Sequence, residues 1–140
     1  MQGLYFEDLS EGQSAEMTRV ASAAVVEAFA EVSGDVNPVH LDEAYARTTS
    51  FGGRIAHGML AAAYISAVLG TKLPGPGAVY LNQTLRFRRP VRLGDEVTAR
   101  VTVKALDAER GQVTLETVCE VRGKTVVDGE AVVLTPRRSA

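Results

Sequence analysis

The 140-residue sequence predicts an α+β domain in which an antiparallel sheet wraps around one buried central helix. Three observations predict it. The first half of the chain carries apolar residues at helical spacing, whereas the second half alternates apolar and polar residues. One segment, 58–70, is apolar on every side, and a helix without a polar face has to be covered by the rest of the chain. Apolar residues make up 46% of the composition, enough for one core, and the length fits a single domain over 1–140.

Each element has a local signal. Residues 16–21 read as a strand. Ser22 is the expected N-cap of the next element, because its hydroxyl can accept from a free backbone N–H of the first turn. Val25, Val26, Phe29 and Val32 then recur at helical spacing, and Ser33-Gly34 ends that helix with Gly34 in the left-handed C-cap conformation. Asp35 therefore falls in a loop just past a helix end, and Pro38 holds Asn37 extended. A short helix is expected over 42–46. The apolar helix over 58–70 has only Tyr64 and Ser66 as polar breaks, and Gly70 with the Pro74-Gly75-Pro76-Gly77 run ends it.

The second half supplies the cover. Val79, Leu81, Gln83, Leu85 and Phe87 alternate with Tyr80, Asn82, Thr84, Arg86 and Arg88 in a pattern that reads as one strand. Val97, Ala99, Val101 and Val103 alternate with polar neighbours, as do Val113, Leu115, Thr117, Cys119 and Val121, and a last strand is expected over 124–134. Turn-like breaks fall at Arg89-Pro90, Gly94-Asp95, Glu109-Arg110-Gly111 and Arg122-Gly123. An antiparallel sheet curled around one helix is the hot-dog architecture.

Composition narrows the function. Charged residues are 23% and the formal net charge is −2, so the chain has no general attraction for nucleic acid, and an anionic ligand needs a local basic patch. The N-terminus, MQGLYFEDLSEG, lacks the basic start and apolar middle of a signal peptide, and the apolar run 59–69 is shorter than the roughly 20 residues that span a bilayer. The expectation is a cytoplasmic protein with no membrane partner. The single cysteine, Cys119, cannot form an internal disulfide and reads as a small buried hydrophobe.

The chemistry concentrates in 29–46. Asp35, Asn37 and His40 stand in one loop punctuated by glycine and proline. A carboxylate, an amide and an imidazole so close together can converge on one water. Adding water to an activated double bond needs one group to take a proton and one to deliver a proton. Carboxyl and imidazole groups ordinarily titrate at about pH 4 and about 6.5, which suits them to share that work. Taken alone, the same residues also fit a structural reading, with Asp35 capping a turn and His40 packed on the sheet. Two histidines and an Asp without regular ligand spacing do not suggest a metal, and none is expected.

The run Ser33-Gly34-Asp35-Val36-Asn37-Pro38-Val39-His40, with Phe29 before it and Ala46 after it, resembles the signature of the (R)-specific enoyl-CoA hydratases of the MaoC-like family. The resemblance extends to Arg54-Ile55-Ala56-His57-Gly58-Met59-Leu60, to Leu73-Pro74-Gly75-Pro76-Gly77, to Leu85-Arg86-Phe87-Arg88-Arg89-Pro90-Val91 with Gly94-Asp95, and to Gly129-Glu130-Ala131. It is strongest with the small bacterial hydratases that divert β-oxidation intermediates to polyhydroxyalkanoate synthesis. It implies a hot-dog fold and syn addition of water to a trans-2-enoyl thioester, giving the (R)-3-hydroxyacyl product.

By the same resemblance, Asp35 and His40 form the acid–base pair, Asn37 orients the water or the pair, and Gly58 is the backbone donor to the enolate oxygen. The position of Gly58 agrees, since a helix N-terminus offers free N–H groups and a favourable dipole to negative charge. His57 is read as shaping the loop rather than reacting. Ser66 either touches substrate or bonds back to a carbonyl one turn earlier. Arg86 and Arg88, within the basic run that continues through Arg89 and Arg92, are candidates for the phosphates of coenzyme A, and Tyr64 and Leu69 for the acyl slot. No separate cofactor is expected, coenzyme A being part of the substrate. The family's habit implies a homodimer. The rival readings are a 3-hydroxyacyl-ACP dehydratase, a hot-dog thioesterase and a non-catalytic binding domain.

Overall fold

The computed structural model describes residues 2–138. One 3-10 turn (Phe6–Asp8) precedes β1 (Ser14–Val20), α1 (Ala23–Ser33), α2 (Pro38–Leu41), α3 (Glu43–Arg47), α4 (Gly58–Thr71), β2 (Val79–Gln83), β3 (Arg86–Phe87), β4 (Glu96–Asp107), β5 (Gln112–Val121) and β6 (Lys124–Leu134). The strands form a six-stranded antiparallel sheet in the order β1-β4-β5-β6-β2, with β3 also on β6. This is the predicted α+β hot-dog arrangement.

The period-two pattern determines which face packs on α4. Val97, Ala99, Val101 and Val103 of β4, and Val113, Leu115, Thr117 and Cys119 of β5, are buried. They meet Leu60, Ala61, Ile65, Val68 and Leu69 of α4 in one core. The helix is not covered all round. Met59 is 55% exposed, because the sheet closes over only one side of α4 and β2 is an edge strand. α1 behaves similarly: Val26 and Ala30 are buried, but Val32 is 88% exposed although its spacing matches the helix period.

The strand expected over 79–88 is broken in two at Thr84 and Leu85. A Cβ on Gly129 of β6 would stand 1.8 Å from the Thr84 carbonyl oxygen, so the two backbones nearly touch there. Pairing continues through the Thr84 hydroxyl, which accepts from the Glu130 N–H at 3.0 Å. The short helix expected over 42–46 is α3, capped by the Asp42 carboxylate, which accepts from Tyr45 N–H; α2 directly before it was not anticipated.

Candidate active site

Local caps set the loop that carries Asp35 and His40. The Ser22 hydroxyl accepts from Val25 N–H at 3.2 Å and starts α1, and Gly34, at φ 81°, ends it in the left-handed region. Asp35 leaves α1 with its N–H on the Ser33 hydroxyl at 3.1 Å. Its carboxylate accepts from Asn37 N–H at 3.3 Å and remains exposed. The Asn37 side-chain oxygen accepts from Val39 N–H at 3.2 Å, and Pro38 takes the first position of α2. Asn37 is thus the N-cap of the turn bearing His40.

His40 is buried at 7% exposure, and its Nδ1 lies 2.8 Å from the Ile55 carbonyl oxygen. A carbonyl only accepts, so Nδ1 carries a proton, and Nε2 is the nitrogen left free to exchange one. The same logic holds for His57, whose Nε2 donates to the Asp35 carbonyl at 2.9 Å and whose buried Nδ1 has no partner among the described residues. The His40 and His57 rings stack, and Phe29 lies against His57 with ring centroids 4.9 Å apart.

The loop is pinned from outside as well. Arg54 Nε donates to the His40 carbonyl at 2.7 Å, Ile55 N–H donates to the Val39 carbonyl, and Ala56 N–H donates to the Val91 carbonyl at 2.7 Å. Ile55 also bridges Arg92. Arg54 and the Ile55 carbonyl hold the His40 imidazole in place, yet nothing in their spacing marks them, since a carbonyl acceptor has no residue signature.

A carboxylate oxygen of Asp35 and one ring nitrogen each of His40 and His57 lie within 4.8 Å of one another. These are metal-donor types. Each of the stacked rings, however, already has one nitrogen committed to a carbonyl. The trio suits proton transfer better than metal binding.

Gly58 opens α4, so its N–H has no carbonyl one turn back, and His57 at the N-cap provides no side-chain cap. A Cβ at this position would lie 2.8 Å from two ring carbons of Phe87. Any larger residue here would have to displace the Phe87 ring. A groove of about 410 Å³ runs from His57 and Gly58 past Phe51 and Phe87 to Arg88 and Arg89. A second groove, about 550 Å³ and mostly apolar, lies along α4 between Phe29, Met59 and Ser66 and the edge residues Tyr80, Leu81 and Leu85.

The remaining expected residues divide. Ser66 lines the apolar groove. Leu69 does not; it is 2% exposed and belongs to the core. Tyr64 is half-buried against the core, and burial pushes its phenol up while nearby Arg19 opposes this. Arg86 and Arg88 share one strand face opposite Phe87, as their alternation predicts. Phe87 faces Gly58, so their side chains lie near Arg100 and Thr102. There Arg88 pairs with Asp128 at 2.6 Å.

The family model described as MaoC like domain matches residues 7–132. The chain is 57% identical over 134 residues to the "(R)-specific enoyl-CoA hydratase" of Rhodospirillum rubrum, covering 96% of this chain and 93% of that protein. It is 52% identical to the "3-hydroxybutyryl-CoA dehydratase" of Methylorubrum extorquens, covering 96% and 86%. The unliganded R-hydratase PhaJ1 of Pseudomonas aeruginosa superposes with a TM-score of 0.92 at 48% identity, covering 97% of this chain and 88% of that one.

Proposed function

The chain belongs to the MaoC-like domain family, and from that premise we propose which of its residues carry the reaction and how. It is an (R)-specific enoyl-CoA hydratase, a hydro-lyase that adds water reversibly to trans-2-enoyl-CoA to give (R)-3-hydroxyacyl-CoA. Water lies between the Asp35 carboxylate and His40 Nε2. Its oxygen bonds to C3 of the enoyl group while the pair removes its proton. The π electrons move through C2 onto the thioester oxygen, where the Gly58 N–H and the α4 dipole stabilise the enolate. The pair then delivers a proton to C2 on the same face, and the carbonyl re-forms. No cofactor enters this scheme, since coenzyme A is part of the substrate.

The observation that carries the reading is the convergence of Asp35 and His40, with His57, within 4.8 Å beside the uncapped N-terminus of α4. The apolar groove at Ser66 takes the acyl chain. Among the described residues no helix is long and apolar enough to cross a membrane. The reading assigns the protein to the cytoplasm, where coenzyme A thioesters occur and a lone cysteine stays reduced. It acts as a homodimer joined at β2, an edge strand whose Val79, Tyr80 and Leu81 are 53%, 41% and 47% exposed.

Crotonyl-CoA tests the reading. The expected result is loss of enoyl-thioester absorbance without release of free thiol, giving a product oxidised only by an (R)-specific dehydrogenase. Thiol release would make the protein a thioesterase, and an (S) product would place the water on the wrong face.

A further inference from the structure

The fold divides the basic run of residues 86–92. Arg86 and Arg88 line the outer face of the sheet, where Arg88 pairs with Asp128 while bordering the groove at Gly58. Arg89 and Arg92 instead meet Arg122 and Lys124, which the β5–β6 hairpin brings beside them around a concavity of about 200 Å³. Among the described residues lining it, Asp95 is the one carboxylate. It is buried and already engaged, accepting from Arg92 N–H at 2.8 Å and from Arg122 Nη2 at 3.1 Å. Arg92 Nη1 donates to the Phe51 carbonyl at 2.7 Å. Arg89 and Lys124 are exposed, and among the described residues neither has an ion-pair partner.

Four cations against one carboxylate form an unbalanced positive site in a protein whose formal net charge is −2. Its position gives the excess a use. The concavity shares Arg89 and Pro90 with the groove that begins at His57 and Gly58. A thioester with its carbonyl oxygen on the Gly58 N–H can extend its sulfur arm along that groove, and its far end then arrives among these cations. Guanidinium and ammonium groups with free donors suit a phosphorylated terminus.

We propose that Arg89, Arg92, Arg122 and Lys124 form the site for the phosphate-bearing end of coenzyme A. The inference rests on Gly58 as the oxyanion donor and on a coenzyme A thioester as substrate. Two residues of the site, Arg122 and Lys124, lie outside the basic run.

The test compares crotonyl-CoA with crotonyl-N-acetylcysteamine, which keeps the thioester and lacks every phosphate. The double variant Arg89→Ala with Lys124→Ala is expected to raise KM for crotonyl-CoA by about tenfold or more, with kcat within about twofold, and to leave KM for the truncated thioester unchanged. Rising salt should lower kcat/KM for crotonyl-CoA in the parent more than in the variant. An unchanged KM for crotonyl-CoA overturns the assignment, as does an equal rise for both thioesters. A rise for crotonyl-ACP alone also overturns it, by giving the cluster to a protein carrier.

Calorimetric titration with coenzyme A itself reads the site without turnover, in the double variant or in the milder Lys124→Gln. Weaker binding is expected, and parental affinity in both overturns the proposal. A parent that hydrates neither thioester but binds coenzyme A through these residues would sink the hydratase reading and leave the phosphate site standing.

Discussion

The imidazoles of His40 and His57 are stacked, with ring centroids 3.9 Å apart and planes 28° apart. Each ring has one nitrogen tied to a carbonyl, Ile55 for His40 and Asp35 for His57. His57 therefore contacts both residues of the proposed acid–base pair, and the proposed scheme gives it no proton to move. It fixes the plane of one partner and the backbone of the other. His57→Ala should lower kcat by about tenfold to a hundredfold, the range that small misplacement of reacting groups produces. His57→Phe, which keeps a stacking surface, should retain more activity. Initial rates at saturating crotonyl-CoA measure both.

Asp35→Asn and His40→Ala should each lose about a hundredfold or more in kcat. The Asp35 side chain is exposed and accepts one backbone hydrogen bond, which an Asn oxygen can replace, so Asp35→Asn should melt with the parent. Parental turnover in a folded Asp35→Asn or His40→Ala variant would remove that residue from the mechanism.

Gly58→Ala sets a new methyl group 2.8 Å from the Phe87 ring. Phe87 is 55% exposed and can yield, so the fold should survive while the oxyanion donor shifts. The expected outcome is a fall in kcat of about tenfold or more with a small drop in Tm. Adding Phe87→Ala should restore Tm, and unimpaired turnover in Gly58→Ala would argue against the donor role.

Burial pushes the Cys119 thiol up to about 12. At pH 8 it is protonated and enclosed, so an aromatic disulfide reagent should label it only after unfolding. Because the protonated form is favoured in the folded state, the native protein binds more protons than the unfolded chain between about pH 9 and pH 12. That contribution to stability is present below this window and falls as pH rises through it. Chemical denaturation of the parent and of Cys119→Ala at pH 8 and pH 10 should diverge accordingly.

Leu81→Arg places a charge on the exposed edge strand β2 without disturbing the core. Light scattering should show two copies for the parent and one for the variant. A parent that is monomeric at micromolar concentration would exclude β2 as an interface.

Much of the fold was legible because it is local. Ser22 and Gly34 bracket α1 as their cap chemistry requires, and period-two alternation identified the inward faces of β4 and β5. Asp35 and His40 could be read together because they stand five residues apart, although His40 belongs to the short helix α2 that Pro38 opens rather than to a loop. Val32 misled for the converse reason, since helical spacing defines a stripe but not how much of it meets a neighbour.

Periodicity and local cap chemistry were enough to read α1, α4, β4, β5 and β6, while the pairing of Asp35 with His40 was implied by the resemblance of residues 33–40 to the hydratase signature. Only the folded chain shows that His40 Nδ1 meets the Ile55 carbonyl, that Phe87 covers Gly58, that Arg88 pairs with Asp128, and that Arg122 and Lys124 join Arg89. These are relations between segments far apart in the chain. Spacing carries no record of them, because the strand twist and loop packing that bring them together are settled only when the whole core closes.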